Sequence, residues 1–581
     1  MHFLSKIKEN KYFGVLFFGL ILCIFYLTNV HQIFVVWEIG DEAGYLGNAA
    51  WIAGYDWSST REVLPYFGYG YSLLLVPLFY LCDNGVSLIQ AAVCVNIICI
   101  VISYIVQIKL MTQMINKCSV SFIAAIAFLV NLYPYLVASS MKVICESFLT
   151  LQYWIIALIL YNALKKKKVT LFCCLGGAVA FIFFIHTRAI IVVGVIFLTL
   201  LYFFSQRVIG WKKLLTFLVA FMAVFVLGTI VKNMCIQDSY RGLERDSLEA
   251  VSQVNRITGK YIADRLKWLF DPNNFFLYFR SVNAKAFYII SGTGIMALFG
   301  IYTLVHNILK RRRDKRERAD MGIYIYFLLS FVLMYLACIA SGAGTRETNA
   351  TFFYGRYFEY TLGGLIFLGI YSCMCEYNAR KKIFCVLLIT LIIGLLGKGI
   401  GKYFVSQNVY VDTARTAAFS FEISINNDFS KMMDFLLLEA GILCFLFVGI
   451  SQCKYRKYIL FGAILFVFLL DDQKVLETIN NTNKVHEGEK IMAEYIFDSN
   501  ESKPIYFVNG EYKDNVPYFS VMQVLIKNNP VVLIEPEEAF NVEKNAFILC
   551  YHESEISLNL QEKYKFIMNN NIFDLYESME E

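Results

Sequence analysis

From residue 12 to about residue 471 the chain alternates between long apolar runs and short polar breaks. The runs are about 14–25 residues long, and a helix of about 20 residues crosses the roughly 30 Å hydrocarbon layer of a bilayer. In order they fall at 12–36, 86–108, 119–138, 141–163, 169–186, 189–205, 214–231, 286–308, 321–340, 358–377, 383–397, 435–452 and 458–471. This pattern predicts an α-helical polytopic membrane protein of about 13 transmembrane helices, the last being the shortest. The first run follows a basic start at Met1–Lys11. It is too long for a signal-peptide core and ends without a small-residue cleavage site, so it reads as a retained helix.

After residue 471 the pattern changes. Glu489–Phe497 and Pro517–Lys527 read as helices, and Pro504–Asn509, Pro530–Glu535 and Asn545–Tyr551 as short buried strands. A small C-terminal α/β domain over 472–581 is expected beside a membrane domain over 1–471. The tail contains no phosphate-binding glycine loop, and the chain has no internal repeat.

Charge orients the spans. Lys and Arg cluster at Lys6/Lys8/Lys11, Lys109/Lys117, Lys165–Lys168, Arg207/Lys212/Lys213, Lys310–Arg318, Arg380–Lys382 and Lys454–Lys457. Basic loops mark the cytoplasmic side, and the spans above put every cluster there. Counting Pro65–Cys82 as a further span would move all later clusters across, so it is expected to be a re-entrant or surface helix. The N terminus is then cytoplasmic. The stretches 37–85, 232–285, 341–357 and 398–434 and the C-terminal domain are extracytoplasmic.

Composition narrows the function classes. Of 581 residues 58% are hydrophobic and 17% charged, against roughly 25% charged in soluble domains. The net charge of +6 lies in the short clusters between spans, which sets topology and is not a nucleic-acid signal. Many of the 16 cysteines lie in apolar runs (Cys145, Cys173, Cys174, Cys373, Cys375), which excludes a disulfide framework or zinc spacing. Aromatics at 16% suit interfacial belts and also a sugar or lipid site.

Four polar sets stand at the extracytoplasmic ends of the spans. Asp41 and Glu42 follow the first helix and precede the aromatic-rich Tyr45–Gly54 and Tyr66–Tyr71 stretches. They suit a site where lipid meets water, and Asp41 equally suits a helix cap. Pro134, Lys142 and Glu146 come next, with Lys142 and Glu146 spaced as a helical ion pair or as a functional pair of intramembrane charges. His186-Thr187-Arg188 interrupts two apolar runs. An arginine there opposes the positive-inside bias and suits either a lipid phosphate or snorkelling to headgroups. Arg346-Glu347 and the segment Tyr354–Tyr360, with Arg356, Tyr357 and Glu359, open the 358–377 run, as a site or an aromatic anchor. One topology puts all four sets at a common depth, which is how a single cavity would be built.

At these residues the chain resembles the GT-C membrane glycosyltransferases, in particular their protein O-mannosyltransferase and aminoarabinose-transferase branch. Gly40-Asp41-Glu42-Ala43-Gly44-Tyr45 with the NAAWIAG helix, Pro65–Cys82, Pro134…Glu146 and His186-Thr187-Arg188 carry the likeness, which covers about residues 12–205. A single proline, Pro65, stands where that branch often has a pair. The resemblance implies transfer of a sugar from a polyprenyl-phosphate donor to a glycan, lipid or protein acceptor outside the cytoplasmic membrane, with inversion. It implies Asp41 as general base, Glu42 as an acceptor-orienting or metal-assisting group, and Arg188, Arg356, His186 and Lys142 as donor-phosphate ligands. Glu146, Tyr45 and Tyr357 support them. No ligand set is decisive for a metal, and a divalent ion at Asp41 and Glu42 is left open. A polysaccharide polymerase or ligase using the 398–434 loop, or a lipid-linked sugar transporter, is the alternative. The Ile/Lys/Asn/Phe-rich, proline-poor usage suggests a bacterial chain, for which the carrier would be undecaprenyl phosphate.

Overall fold

The computed structural model describes residues 12–37, 39–64, 67–115, 118–239, 271–311, 318–342, 355–375, 380–406, 453–499, 503–509 and 519–578, with single positions at 267, 438, 441, 442, 446 and 450. Among these, six helices are long and apolar enough to cross a membrane: Phe13–Val30, Gly85–Met114, Glu146–Lys166, Thr187–Ser205, Trp211–Ile236 and Arg318–Ala340. Two bent pairs raise the number to eight. The protein is therefore a multi-pass membrane protein. Its lipid-facing surface is plain on the first helix, where Leu16, Leu20, Ile24 and Leu27 are exposed, and on Trp211–Ser239, where Val219, Leu227 and Ile230 are. Large apolar side chains left uncovered along one helix face are stable in hydrocarbon and costly in water.

The spans differ in places from the expected set. Val120–Asn131 and Pro134–Ser140 meet at 65°, because Pro134 starts a new helix and cannot continue the old one. The run 286–308 is two helices meeting at 104°. Gly294 and Ile295 stand between them at φ +50° and +60°, left-handed conformations that no helix accommodates. Val169–Ile185 and Gly363–Cys375 are apolar but have fewer than 18 residues, whereas the expected span 383–397 lies within a 27-residue helix, Arg380–Ser406. Helix Arg456–Val485 carries the chain unbroken past residue 471. The expected span 435–452, residues 407–434 of the alternative's loop, and Arg346, Glu347 and Tyr354 lie outside the described residues or nearly so.

Helix Tyr69–Leu81 has 13 residues, about 20 Å at 1.5 Å per residue, and so falls short of the hydrocarbon thickness. It packs against helix Ile39–Ala53. At its start, a Cβ on Gly68 would lie 2.3 Å from the Ile185 carbonyl oxygen. Only glycine lets this loop close on the end of helix Val169–Ile185, next to His186.

The C-terminal sheet has the order β2-β1-β3-β5-β4. β1 (Ile505–Val508) pairs in parallel with β2 (Val531–Ile534) and β3 (Phe547–Tyr551). β5 (Phe573–Glu577) runs antiparallel to β3 and β4 (Lys565–Asn569). The first three strands and the helices Glu487–Asp498 and Phe519–Ile526 fall where the pattern puts them. The β4–β5 hairpin was not anticipated, because β4 is largely solvated and its apolar run is only Phe566–Met568.

This domain rests on the first loop. The Trp57 indole N–H donates to the Lys527 carbonyl at 2.9 Å, Asn528 donates to the Asp83 carbonyl at 3.0 Å, and the Leu533 N–H donates to Ser59 Oγ at 3.2 Å. Gly85 lies so close beneath the domain that a Cβ there would stand 2.1 Å from the Val524 carbonyl oxygen.

Candidate functional site

Four elements converge at the end of the helices opposite Lys165 and Lys166. Helix Ile39–Ala53 brings Asp41 and Glu42 in its first turn, and helix Glu146–Lys166 begins with Glu146 itself. The turn Thr187–Ala189 brings Arg188, and the short helix Arg356–Glu359 brings Arg356. That last helix is held from behind. Phe358 is fully buried against Tyr288, Phe331 and Tyr335, and a Cβ on Gly355 would overlap the Tyr288 ring.

Glu146 is the hub. Its Oε1 accepts from Arg188 Nη2 at 2.6 Å and from Arg356 Nε at 2.5 Å. Arg356 Nη1 turns the other way and meets Asp41 Oδ2 at 2.6 Å. Asp41 is 33% exposed, whereas the Arg356, Glu146 and Arg188 side chains are 4%, 2% and 9% exposed. Asp41 is thus the accessible end of an otherwise buried chain of charges. Arg188 lies over the Tyr357 ring, its Cζ 5.2 Å from the centroid, and 6.0 Å from that of Tyr360. One guanidinium nitrogen of Arg188 serves Glu146. Its Nε and Nη1 are buried donors with no hydrogen-bond acceptor among the described residues.

The remaining expected residues surround this chain. Lys142 does not form a helical pair with Glu146, because Met141–Cys145 is a turn and the helix starts only at Glu146. Its ammonium lies 3.8 Å from the Trp37 ring centroid, and its carbonyl accepts from Asn96 Nδ2 at 2.6 Å. Glu42 is buried and spends both oxygens on backbone: Oε1 accepts from the Val143 N–H at 2.5 Å and Oε2 from the Trp37 N–H. It ties the first loop to the turn before Glu146. That use does not fit a metal ion at Asp41 and Glu42, and no group of three or more His, Cys, Asp or Glu placed to hold a metal exists among the described residues. His186 Nδ1 accepts from the Arg188 N–H at 3.2 Å and so fixes the turn that presents the arginine. Tyr45 donates to Cys145 Sγ at 3.0 Å. Burial pushes its phenol well above the ordinary tyrosine range, which keeps it a donor.

The central place of Glu146 goes beyond what the sequence pattern indicates, whereas Glu359 belongs to the Tyr354–Tyr360 set already named. The signal for the first was present: two arginines at the ends of spans opposite the Lys165–Lys166 cluster need a buried counter-charge. Glu146 heads an apolar helix where a carboxylate is otherwise expensive.

No protein-family model matches the chain, and no curated protein sequence matches it. Among solved structures, ArnT from Cupriavidus metallidurans in the apo state aligns over 97% of both chains, with TM-score 0.55 and 11% identity. The same protein bound to undecaprenyl phosphate aligns over 97% of both chains, with TM-score 0.56 and 11% identity. An oligosaccharyltransferase from Archaeoglobus fulgidus in the apo form aligns more loosely, with TM-score 0.46 and 11% identity over 98% of this chain and 75% of that one. The chain thus has the GT-C fold, a polytopic helical membrane domain with a small C-terminal sheet domain, as its first-loop residues led us to expect.

Proposed function

We propose that this protein is a membrane glycosyltransferase that moves a sugar from a polyprenyl-phosphate donor to an acceptor at the extracytoplasmic face. The observation that carries the reading is Arg188. It is linked through Glu146 to Arg356 and, through Arg356, to Asp41, with two buried guanidinium N–H groups unspent, and a phosphate oxygen is the acceptor that a guanidinium fork suits best. The solved neighbour with undecaprenyl phosphate bound supports that ligand class.

In the reaction the acceptor hydroxyl gives its proton to Asp41 as its oxygen attacks the anomeric carbon. The bond from that carbon to the phosphate oxygen breaks, and the electron pair leaves with the polyprenyl phosphate. Arg188 and Arg356 stabilise the charge growing there. Attack from the side opposite the leaving group inverts the anomeric centre. In the resting site Arg356 holds Asp41, and an incoming phosphate competes for the same N–H groups, which would free the carboxylate as the donor binds. His186 and Lys142 position the arginine turn and the loop before Glu146, and Glu42 anchors the first loop. We assign residues 1–471 to the transferase domain and 472–581 to an extracytoplasmic domain, with the N terminus cytoplasmic.

The test is sugar transfer in membranes from undecaprenyl-phosphate-linked, radiolabelled monosaccharides, comparing wild type with Asp41→Asn. Loss of a general base lowers turnover about 10²–10⁴-fold. A folded Asp41→Asn protein with full activity would remove Asp41 from this role. Wild type inactive with every donor of the panel, and unable to bind undecaprenyl phosphate, would end the transferase reading.

A further inference from the structure

Beside Glu146 the packing leaves a narrow polar gap. Glu146, Thr150 and Trp154 border it on one helix, and Glu359 and Tyr360 border it on the segment that bears Arg356. It has room for about 20 Å³, one water molecule and no larger ligand. Gln107 also reaches the gap, but its amide oxygen already accepts from Asn131 Nδ2 at 2.8 Å.

Glu146 has one oxygen left over. Its Oε1 takes both arginines, whereas Oε2 is buried with no hydrogen-bond partner among the described residues. The same holds for both carboxyl oxygens of Glu359 and for the Trp154 indole N–H. Glu359 is 4% exposed and Trp154 is 0% exposed. Buried polar atoms are almost always paired, so several unmet ones around one gap ask for an explanation.

Charge supplies it. The four linked charges of Asp41, Arg356, Glu146 and Arg188 already cancel. An ionised Glu359 would add an uncompensated negative charge beside a second carboxylate, in a gap that admits a single water. Arg356, one turn from Glu359, directs its Nε to Glu146 and its Nη1 to Asp41. Of two neighbouring carboxyl groups with too few cations, one stays protonated. The proton belongs on Glu359, because Glu146 has two guanidinium partners and Glu359 has none among the described residues. The acid then has an O–H to donate towards Glu146 Oε2 and a carbonyl oxygen to accept from the indole N–H, with one water completing the chain.

We infer that Glu359 is held as a neutral acid, that with one bound water it donates to Glu146 Oε2, and that it thereby fixes the carboxylate on which Arg188 and Arg356 are aimed. Glu359 is then a positioning residue of the site, a role that rests on the transferase reading above. As a donor phosphate draws the arginines, Glu146 keeps the hydrogen bond from the Glu359 side.

The experiment uses the full-length protein in nanodiscs and has two arms. The first is infrared difference spectroscopy at pH 7, wild type against Glu359→Gln and against Glu359→Met. Both differences should show the carbonyl stretch of one neutral carboxylic acid, shifted down in D₂O, and Trp154→Phe should move that band up by removing the indole donor. No such band in either difference means an ionised Glu359 and overturns the inference. This arm needs no lipid, and either Glu359 variant serves if the other fails to fold. The second arm is affinity for undecaprenyl phosphate. Glu359→Gln keeps an N–H donor and should lose less than about threefold, whereas Glu359→Met, of similar length with no donor, should lose at least about tenfold, the value of one charge-assisted hydrogen bond. Equal affinities for the two variants, whether both are kept or both lost, overturn the positioning role. Wild type that does not bind undecaprenyl phosphate removes the transferase reading and the positioning role with it, while the infrared band still decides the protonation of Glu359.

Discussion

Replacing Glu146 by glutamine is the most direct probe of the charge cluster. Asp41 and Glu146 contribute −2, and Arg188 and Arg356 contribute +2, so the four linked side chains sum to zero. Glu146→Gln leaves +1 among side chains that are 9% and 4% exposed. Breaking a buried ion pair by removing one partner costs about 3–5 kcal/mol. Counting the two charge-assisted hydrogen bonds to Oε1 separately, at about 1.5–3 kcal/mol each, gives about 3–6 kcal/mol, an overlapping range. Adding Arg188→Met removes the surplus cation, and Arg356 keeps Asp41 as its counter-charge. We expect Glu146→Gln to lose about 3–5 kcal/mol, and the double variant to recover at least about 1 kcal/mol of it, a non-additivity typical of groups in one network. The measurement is unfolding in a single detergent for wild type, both single variants and the double variant, which completes the cycle. If Glu146→Gln unfolds within about 0.5 kcal/mol of wild type, as a bland surface change would, Glu146 is not the counter-charge of a buried pair and the electrostatic reasoning is wrong.

Other expectations follow from single contacts. Arg356→Lys keeps the charge but cannot hold Asp41 and Glu146 at once, so transfer activity should fall by about 10²-fold, as for a lost oxyanion donor, with the fold retained by size-exclusion profile. Gly85→Ala places a Cβ 2.1 Å from the Val524 carbonyl oxygen, and limited proteolysis should show the C-terminal domain released from the membrane domain. The Lys503 ammonium donates to Glu577 at 2.6 Å and holds that carboxyl below the usual range. A depressed carboxylate stabilises the fold above its unfolded value of about 4.3 and loses that contribution as pH falls through the folded value. Wild type should therefore exceed Lys503→Met in heat stability at pH 7, and the gap should close toward pH 3. Reporter fusions within 232–285 should read extracytoplasmic; a cytoplasmic reading would overturn the charge-based topology.

Much of this arrangement is legible in the residues. Ile505–Val508, Val531–Ile534 and Phe547–Tyr551 are legible as buried strands because each is a short continuous apolar run bounded by turn residues. Asp41, Arg188 and Arg356 read as neighbours because each breaks an apolar run at the same side, and they do touch through Glu146. What the pattern misleads on is local geometry. Lys142 and Glu146 have helical spacing, yet a turn separates them, since hydropathy cannot distinguish a continuous span from the break that Pro134 and the Met141–Cys145 turn introduce. Glu42 beside Asp41 looks like half of a ligand pair, but its oxygens go to amides of Trp37 and Val143, one of them 101 positions away in the chain. Such a backbone partner leaves no trace in residue type.

The seat of the C-terminal domain on the first loop has a bearing on how the protein is made. Trp57 meets Lys527, Ser59 meets Leu533 and the Phe34 N–H meets Asn483, contacts that join positions 470, 474 and 449 residues apart. A ribosome adds about 5–20 residues per second, so the loop bearing Asp41 is made roughly half a minute to a minute and a half before the segment that packs on it. Through that interval Trp57, Tyr55 and the start of helix Gly85–Met114 stand uncovered at the membrane surface. This face of the protein is thus completed last and all at once, and a chain cut short before Lys527 would leave its earliest-made loop uncovered.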